Sequence, residues 1–371
     1  MDTESNGAWR SNFMPEFDRS ARLDRRDFLK IGGVSAATLG ASSSFASVTL
    51  PGASASSDAP SETLTGPGST KAEFAPSSKY PKLAMITNYS PQKLAFATAT
   101  GYEGVVIPVD QFFDPDKLSD SQIDQILATS RETGARIISI ECFAGFNHIH
   151  PEAKKRQAAQ AHFIRCLEFS RRLGCKFCGT FSGGIPGKSL SYQVKEFAAV
   201  VNEKYLPVLE RLDVSMGWEN YPEAENFATI PAAYEQIFDL VPSPRLGLEF
   251  DPSHFIRQYI DPTATAWRFR DRIRAGHAKD TEIIEPVLSE VGIHGTGWWR
   301  YRIPGQGLLD WPKFITVLLQ AGFQGALAVE HEDDFWDLPN TKDQPDFPQE
   351  RKDGFILAHR FLRQYLPARL G

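Results

Sequence analysis

Cysteine is scarce in this chain, with four residues among 371: Cys142, Cys166, Cys175 and Cys178. Cys175 and Cys178 have the Cys-x-x-Cys spacing of half a zinc site or of a redox pair, but the sequence has no second pair of this kind. A structural zinc site needs such a second pair or a set of histidines at matching spacing. We therefore expect four unpaired thiols that are buried as small apolar side chains.

Long apolar runs and an excess of basic residues are also lacking. No uninterrupted stretch reaches the roughly 18 apolar residues of a membrane span, so no span is expected in the mature protein. The 40 Lys and Arg residues are outnumbered by 46 Asp and Glu, which gives a net charge of −6. A nucleic-acid partner would need a basic face, so none is expected. A homo-oligomer remains compatible with the sequence.

Residues 1–46 have the order of a bacterial export signal. Arg25 and Arg26 precede Phe28-Leu29-Lys30, and the run IGGVSAATLGASSSFA follows. A basic region, an apolar region and small residues at the end are the three parts of such a signal. The arginine pair resembles the twin-arginine type, which implies the twin-arginine translocation machinery as a partner. The resemblance also implies export of a folded protein to the periplasm or the outside.

Residues 47–80 are rich in Ser, Pro, Gly and Ala, and they show neither a helical nor a strand period. This composition is typical of a disordered, flexible linker. The structured domain is therefore predicted to occupy residues 81–371.

From residue 81 the chain alternates short apolar runs with segments of helical period. The predicted strands are 82–87, 104–109, 136–143, 176–181, 214–220, 246–251, 273–280 and 326–333. The clearest predicted helices are 156–173, 192–212, 311–321 and 355–366. Short apolar runs are typical of parallel strands buried on both faces. Eight such units favour the α/β class with a single (β/α)8 TIM barrel. The alternative, an open doubly wound sheet, lacks a Gly-x-Gly-x-x-Gly after the first strand.

Polar residues stand at the carboxyl ends of the last four predicted strands, namely Glu219, Asp251, His277 and Glu330. The chemistry of such barrels lies at this end of the strands. Three converging carboxylates would repel one another, and one divalent metal ion would resolve that repulsion. Oxygen-rich ligation with one imidazole favours Mn²⁺, with Mg²⁺, Co²⁺ and Zn²⁺ as alternatives. Glu249 is predicted to point into the barrel, one layer below Asp251, with a partner that the sequence does not identify.

The segments GWENY, EFDPSH, GHAKD, PGQGLLDW and AVEHED, in this order and spacing, resemble the xylose isomerase-like barrel superfamily. That superfamily contains sugar isomerases, sugar epimerases and the type-IV AP endonucleases. The resemblance implies that the metal ligands are Glu219, Asp251, His277 and Glu330. The chain departs from the family at Val106, where many members carry an acidic residue.

Four residues are predicted to bind the substrate. His254 matches a family residue that contacts a substrate oxygen near the metal. Lys279 comes two residues after His277 in the seventh strand, and Arg302 lies in the loop segment GWWRYR. Asn147 opens the segment NHIHPEAKKR, which also resembles the family. The implied substrate is a small carbohydrate.

Glu219 and Glu330 lie on strands five and eight, so they are predicted to face each other across the metal as the catalytic pair. Proton transfer between them through an enediolate gives a sugar isomerase or epimerase. The alternative is a metal-dependent lyase or glycoside-cleaving enzyme that acts on keto-sugars, in which the same proton removal expels a leaving group. A non-catalytic sugar-binding protein is a further alternative. A DNA-repair endonuclease would need an Asp-x-His after strand seven, and residues 281–304 contain none.

Overall fold

The computed structural model describes residues 79–143, 145–223, 225–337 and 344–367. The predicted export signal, 1–46, and all but the last two residues of the predicted linker, 47–80, lie outside the described residues. Within the described residues, no helix combines the length and the apolar character that crossing a bilayer requires.

The described part of the chain contains ten strands, and eight of them close a parallel barrel. Their bounds are β1 Lys82–Ile86, β2 Gly104–Pro108, β3 Ile137–Cys142, β4 Phe177–Thr180, β5 Ser215–Glu219, β6 Leu246–Phe250, β7 Ile273–Ala278, β8 Asp280–Ile283, β9 Trp299–Arg302 and β10 Ala326–Val329. The barrel order is β1-β10-β7-β6-β5-β4-β3-β2, and β8 and β9 form a separate antiparallel pair. The predicted (β/α)8 barrel and its eight strands are confirmed.

Helices alternate with the strands of the barrel. Their bounds are α1 Pro91–Thr100, α2 Asp120–Thr133, α3 Ala153–Arg172, α4 Leu190–Val200, α5 Leu206–Leu212, α6 Pro231–Leu240, α7 Pro252–Ile256, α8 Pro262–Arg268, α9 Glu285–Val291, α10 Trp311–Gln320 and α11 Gln349–Arg363. A π-helical turn, Val201–Tyr205, joins α4 to α5. Local signals set the ends: Ser119 and Gln122 form a capping box at the start of α2, and Gly134 ends that helix with φ 72°, a conformation that glycine adopts readily.

The seventh barrel strand is shorter than predicted. It ends at Ala278, and Asp280 begins the β8–β9 hairpin instead of ending β7. The Asp280 carboxylate accepts hydrogen bonds from Trp311 Nε1 at 2.9 Å and from the backbone N–H groups of Leu309 and Gly305 at 3.1 and 3.2 Å. These bonds connect the start of β8 to the segment before α10. They hold the β8–β9 hairpin at the carboxyl end of the barrel.

The barrel interior has an apolar side and a polar side. Five small or β-branched residues of β1, β2 and β10 form their own buried cluster: Ala84, Ile86, Val106, Ala326 and Ala328. On the other strands, Glu141 of β3 and Glu249 of β6 are each 1% exposed. A side chain at Gly179 of β4 would place its Cβ 1.9 Å from Glu249 Oε2. Glycine at this position therefore makes the room that the Glu249 carboxyl group occupies.

All four cysteines are free and buried, as the sequence predicts. The Sγ atoms of Cys142 and Cys178 lie 3.6 Å apart across β3 and β4. Both thiols pack in the layer between the barrel and its helices.

Candidate metal centre

Four neighbouring strands bring Glu219, Asp251, His277 and Glu330 together. Glu219 ends β5, Asp251 and Glu330 directly follow β6 and β10, and His277 is the last but one residue of β7. One ligand atom from each of the four side chains lies within 4.8 Å of all the others. The structure thus places the four predicted metal-site residues in one group, which we call the β5–β10 cluster.

Hydrogen bonds around Asp251 determine which of its two carboxylate oxygens faces the cluster. Asn220 accepts a hydrogen bond from Asp251 N and donates one to Asp251 O, both at 2.8 Å. Asp251 Oδ1 accepts from Ser253 N at 2.7 Å and caps α7, whose first residue is Pro252. Because Oδ1 has this partner, Oδ2 is the oxygen that faces the cluster.

His277 lies at the centre of the cluster. Its Nδ1 atom is 3.1 Å from Glu330 Oε2, 3.2 Å from Glu219 Oε1 and 3.6 Å from Asp251 Oδ2. The side chains of His277, Glu219 and Asp251 are almost wholly buried, and that of Glu330 is 21% exposed. Access from solvent is therefore on the Glu330 side.

The charges of the cluster balance one another. Burial acts to raise the pKa of Glu219, but His277 and His254 outweigh it and lower this pKa to about 2. Burial likewise opposes ionisation of Asp251 and Glu330, yet nearby cationic side chains hold both pKa values below their ordinary range. These are His254, Lys279 and His277 for Asp251, and Lys279 and His277 for Glu330. The carboxylates in turn raise the pKa of His277 well above its usual value in spite of its burial. In the metal-free protein, positive charge therefore lies where a divalent cation would be bound.

The donor set fits a divalent cation. Asp251 Oδ2 and His277 Nδ1 are buried and make no hydrogen bond, although charged side chains lie 3.1–3.2 Å from each of them. Both atoms are therefore available as ligands of a cation. Three carboxylates and one imidazole form an oxygen-rich set that suits Mn²⁺, Mg²⁺, Co²⁺ or Zn²⁺. The identity of the metal remains a prediction.

Two of the four predicted substrate residues contact this cluster. His254 Nε2 lies 3.0 Å from Glu219 Oε1 and 3.2 Å from Asp251 Oδ2. Lys279 Nζ lies 2.6 Å from Glu330 Oε2 and 3.1 Å from Asp251 Oδ2. Both side chains are buried against the predicted ligands.

The other two predicted substrate residues have structural partners instead. Arg302 bonds to Asp333 at 2.9 Å and to Glu282 and Gln306 at 2.6 Å each, which ties β9 to β8 and to the segment after β10. Asn147 donates to Gly184 O at 2.8 Å and accepts from Gly184 N at 3.1 Å. The contacts of these two residues hold loops in place, and their role in substrate binding remains a prediction.

Sequence reasoning missed Glu141 and the partner of Glu249. His277 Nε2 lies 3.2 Å from Glu141 Oε1 and 3.6 Å from Glu249 Oε1. Burial, together with the other carboxylates, raises the pKa of Glu141 to about 7 and that of Glu249 to about 8, although His277 counteracts this. The available signal was a glutamate at an inward position of the apolar run IISIECF, one layer below the strand ends.

Aromatic side chains surround the opening of the cluster. Phe143, Phe181 and Tyr221 follow β3, β4 and β5; their rings are stacked, with centroids 4.5 and 5.7 Å apart. The hydroxyl group of Tyr301, in β9, forms a 3.0 Å hydrogen bond with His254 Nδ1. The ring centroids of Tyr301 and Trp299 lie 4.9 Å apart. We call these five residues the aromatic rim. They are half-buried, so each keeps part of its surface free beside the buried polar cluster.

His148, in the segment after β3, is held as a neutral imidazole. Its Nδ1 lies 2.7 Å from Tyr205 Oη and its Nε2 2.9 Å from Thr180 Oγ1. The Thr180 hydroxyl donates to Cys142 O at 3.1 Å, so it accepts from His148 Nε2–H and the tyrosine hydroxyl donates to Nδ1. Burial lowers the pKa of His148 to about 3.

This arrangement predicts an acid-sensitive contribution to stability. The folded-state pKa of His148 lies below the unfolded value of about 6.5, so its contribution is complete above pH ~6.5 and is lost as the pH falls toward 3. We expect His148→Gln to flatten the fall in free energy of unfolding between pH 6.5 and 4.5. Urea denaturation at several pH values measures this slope, which approaches about 1.4 kcal/mol per pH unit for one proton. Replacement of the exposed His294 by Gln is the control, and an equal slope in all three proteins would contradict the assignment.

Comparisons with known proteins agree with this architecture. The profile of the family described as xylose isomerase-like TIM barrel matches residues 94–365. Inosose dehydratase from Lacticaseibacillus casei is 24% identical over 197 residues, which cover 49% of this chain and 65% of that protein. The chain therefore spans slightly less than two thirds of the length of this relative.

Two solved structures show the same fold. A xylose isomerase domain protein from Planctomyces limnophilus superposes with a TM-score of 0.58 at 18% identity, covering 77% of this chain and 96% of the other. D-Allulose 3-epimerase from Methylomonas sp., in complex with D-allulose, gives a TM-score of 0.59 at 14% identity, covering 78% and 98%. The family profile matches most of the chain, and the eight-stranded barrel agrees with it: this protein belongs to the xylose isomerase-like TIM barrel family.

Proposed function

We propose that this protein is a divalent-metal-dependent sugar isomerase or epimerase. The observation that carries the proposal is the convergence of Glu219, Asp251, His277 and Glu330 within 4.8 Å at the carboxyl end of four neighbouring strands. These four residues would hold the metal, and Mn²⁺ suits the set best. When bound, the metal supplies Lewis-acid stabilisation of negative charge on a carbonyl oxygen.

Two carboxylates are available to move a proton. Glu219 Oε1 and Glu330 Oε2 lie 3.2 and 3.1 Å from the same nitrogen, His277 Nδ1, and come from strands that are three places apart in the barrel. A substrate carbon between them would lose its proton to one glutamate. The same glutamate or its partner would return the proton to that carbon's other face or to the neighbouring carbon. The first outcome is epimerisation and the second is aldose–ketose isomerisation.

The aromatic rim supports a carbohydrate substrate. The exposed parts of these aromatic rings can bind the C–H face of a sugar ring by burial of apolar area, while the polar cluster would bind its oxygen atoms. The epimerase of similar fold holds D-allulose. We therefore propose a small sugar or sugar derivative as the substrate.

A dehydratase or another lyase is the second candidate. Proton removal next to a carbonyl can break the C–O bond on the adjacent carbon, with the leaving oxygen taking a proton from a general acid. Lys279 Nζ lies 2.6 Å from Glu330, and His254, bonded to Tyr301, contacts Glu219. Both groups lie beside the proposed proton-transfer pair, and a curated relative is an inosose dehydratase.

One experiment separates these outcomes. The Mn²⁺-loaded protein is incubated in D₂O with D-allulose, an inosose or a 3-keto-glucoside, and products are followed by NMR and mass spectrometry. Deuterium next to the carbonyl of an isomerised or epimerised product supports the proposal. Loss of water or release of the aglycone supports the lyase. Sugar binding without exchange or product would contradict both and indicate a sugar-binding protein.

We also propose that the protein is exported by the twin-arginine route, on the basis of Arg25 and Arg26 before an apolar run. The double substitution Arg25→Lys and Arg26→Lys is expected to retain the precursor in the cytoplasm, whereas the natural sequence yields a shortened periplasmic or extracellular form. Immunoblots of cell fractions measure the distribution. An unchanged distribution in the double variant would contradict this route.

A further inference from the structure

A second acidic layer lies directly below the β5–β10 cluster. Glu141 of β3 and Glu249 of β6 point into the barrel, and each is 1% exposed. Neither residue has a part in the proton transfer proposed above. Burying a carboxyl group without a partner costs folding free energy. The contacts that these two glutamates make therefore indicate their role.

His277 joins the two layers. Its Nδ1 faces the three carboxylates of the β5–β10 cluster, and its Nε2 makes a 3.2 Å hydrogen bond with Glu141 Oε1. Glu249 Oε1 is 3.6 Å from the same nitrogen, which is beyond hydrogen-bond range. Glu249 Oε2 has no hydrogen-bond partner. The two buried glutamates therefore differ in one respect: only Glu141 bonds to the imidazole.

We propose that Glu141 is a positioning residue that fixes the tautomer and the orientation of His277. A neutral imidazole carries one N–H, and the partner of that N–H decides which nitrogen is left with a lone pair. When a metal is bound and the imidazole is neutral, acceptance by Glu141 would place the hydrogen on Nε2 and leave the Nδ1 lone pair for the cation held by Glu219, Asp251 and Glu330. Carboxylates behind a metal-binding histidine act in this way. The inference rests on the proposed function because it assigns Nδ1 to the metal.

A second cation between Glu141, Glu249 and His277 is the competing explanation for this layer. Three donor atoms there are close enough for a cation. Such an ion would need His277 Nε2 as a ligand. His277 would then have to lose its remaining N–H proton and bind one cation through each ring nitrogen. The hydrogen bond to Glu141 gives Nε2 a partner with its proton in place, and the Glu249 carboxyl group is packed against Gly179. We therefore expect one divalent cation per chain.

Matched variants of the two glutamates test the proposal. Glu141→Met and Glu249→Met each remove one buried carboxyl group from the same layer, but only the first removes the acceptor of His277. We expect Glu141→Met to weaken Mn²⁺ binding by about 10- to 100-fold, and Glu249→Met to change it less than about threefold. Glu141→Gln keeps an acceptor oxygen without the charge, so its affinity is expected to stay near that of the natural protein. Isothermal titration calorimetry of the full chain gives affinity and stoichiometry.

Two further readouts separate positioning from a merely structural role. NMR of the histidine N–H groups is expected to show a hydrogen-bonded Nε2–H in His277 of the Mg²⁺-loaded protein and of Glu141→Gln, and a loss of that hydrogen bond in Glu141→Met. Thermal unfolding of the metal-free variants is expected to show a lower melting temperature for Glu141→Met, because His277 Nε2–H loses its buried acceptor. A lower melting temperature with unchanged Mn²⁺ affinity would overturn the proposal in favour of a structural role.

The remaining outcomes are equally decisive. Equal losses of affinity in Glu141→Met and Glu249→Met would show a general effect of charge and contradict positioning. Two Mn²⁺ ions per chain would establish the second cation instead. If the natural protein binds Mn²⁺ but Glu141→Met binds it equally well, this inference fails and the proposed function stands. If the natural protein binds none, both fail.

Discussion

Replacing Glu219 or Glu330 by Gln is expected to reduce turnover by at least about 1,000-fold while leaving the barrel folded. General acid–base catalysis contributes roughly 10²- to 10⁴-fold, and each of these residues is also a predicted metal ligand. Glutamine keeps the size of the side chain but neither takes up a proton at neutral pH nor neutralises a cation. Both residues lie at strand ends, where the chain is already committed to the barrel.

The control for this prediction is Glu332→Gln. Glu332 Oε2 contacts Lys279 Nζ at 3.1 Å, close to the site, but Glu332 is outside the group of four. Its substitution is expected to change turnover by less than about tenfold. The measurements are rates with the substrate identified in D₂O, metal content per chain, and circular dichroism. Full activity in both the Glu219 and the Glu330 variant would exclude proton transfer by this pair.

The strand ends could be predicted because they depend on local pattern. Short apolar runs bounded by turns give the strands, and chemistry at the carboxyl ends of barrel strands then selects Glu219, Asp251, His277 and Glu330. The predicted bounds of β7 were wrong by two residues because Asp280 looks like the end of a strand. Its carboxylate bonds to Leu309 and Trp311, about thirty residues later in the chain, and no local pattern reports such a contact.

Contacts across the barrel could not be predicted for a similar reason. Glu141 and His277 are 136 residues apart, and which side chains share a layer depends on the tilt and register of every strand between them. Alternation along β6 places Glu249 inside the barrel but cannot identify Gly179 or Glu141 as its neighbours. The resemblance to a family selected Asn147, and the position of GWWRYR in the loop after the seventh strand selected Arg302. Their bonds to Gly184 and to Asp333 depend on loop geometry.

Replacing Lys279 by Met is the second substitution with a large expected effect, here on the stability of the metal-free protein. The Lys279 ammonium group is almost fully buried and lies 2.6 Å from Glu330, 3.1 Å from Asp251 and 3.1 Å from Glu332. Burial disfavours the charged form, but these carboxylates raise the pKa of Lys279 well above its usual value. Lys279→Met would leave the carboxylates without their nearest cation, which costs about 3–5 kcal/mol for a buried pair. We therefore expect a large loss of stability in the metal-free protein, measured by urea denaturation in EDTA.

The same substitution is expected to act in the opposite direction on metal binding. Lys279 Nζ shares Asp251 Oδ2 and Glu330 Oε2 with the predicted cation site, so removing the ammonium group removes its electrostatic repulsion and frees both oxygens. Mn²⁺ should bind Lys279→Met more tightly than the natural protein, and saturating Mn²⁺ should restore much of the lost stability. Lys176→Met is the control, because Lys176 forms an exposed ion pair with Asp213 and such pairs contribute at most about 1 kcal/mol. Weaker Mn²⁺ binding in Lys279→Met would mean that the lysine supports the site rather than competing with the metal for its oxygens.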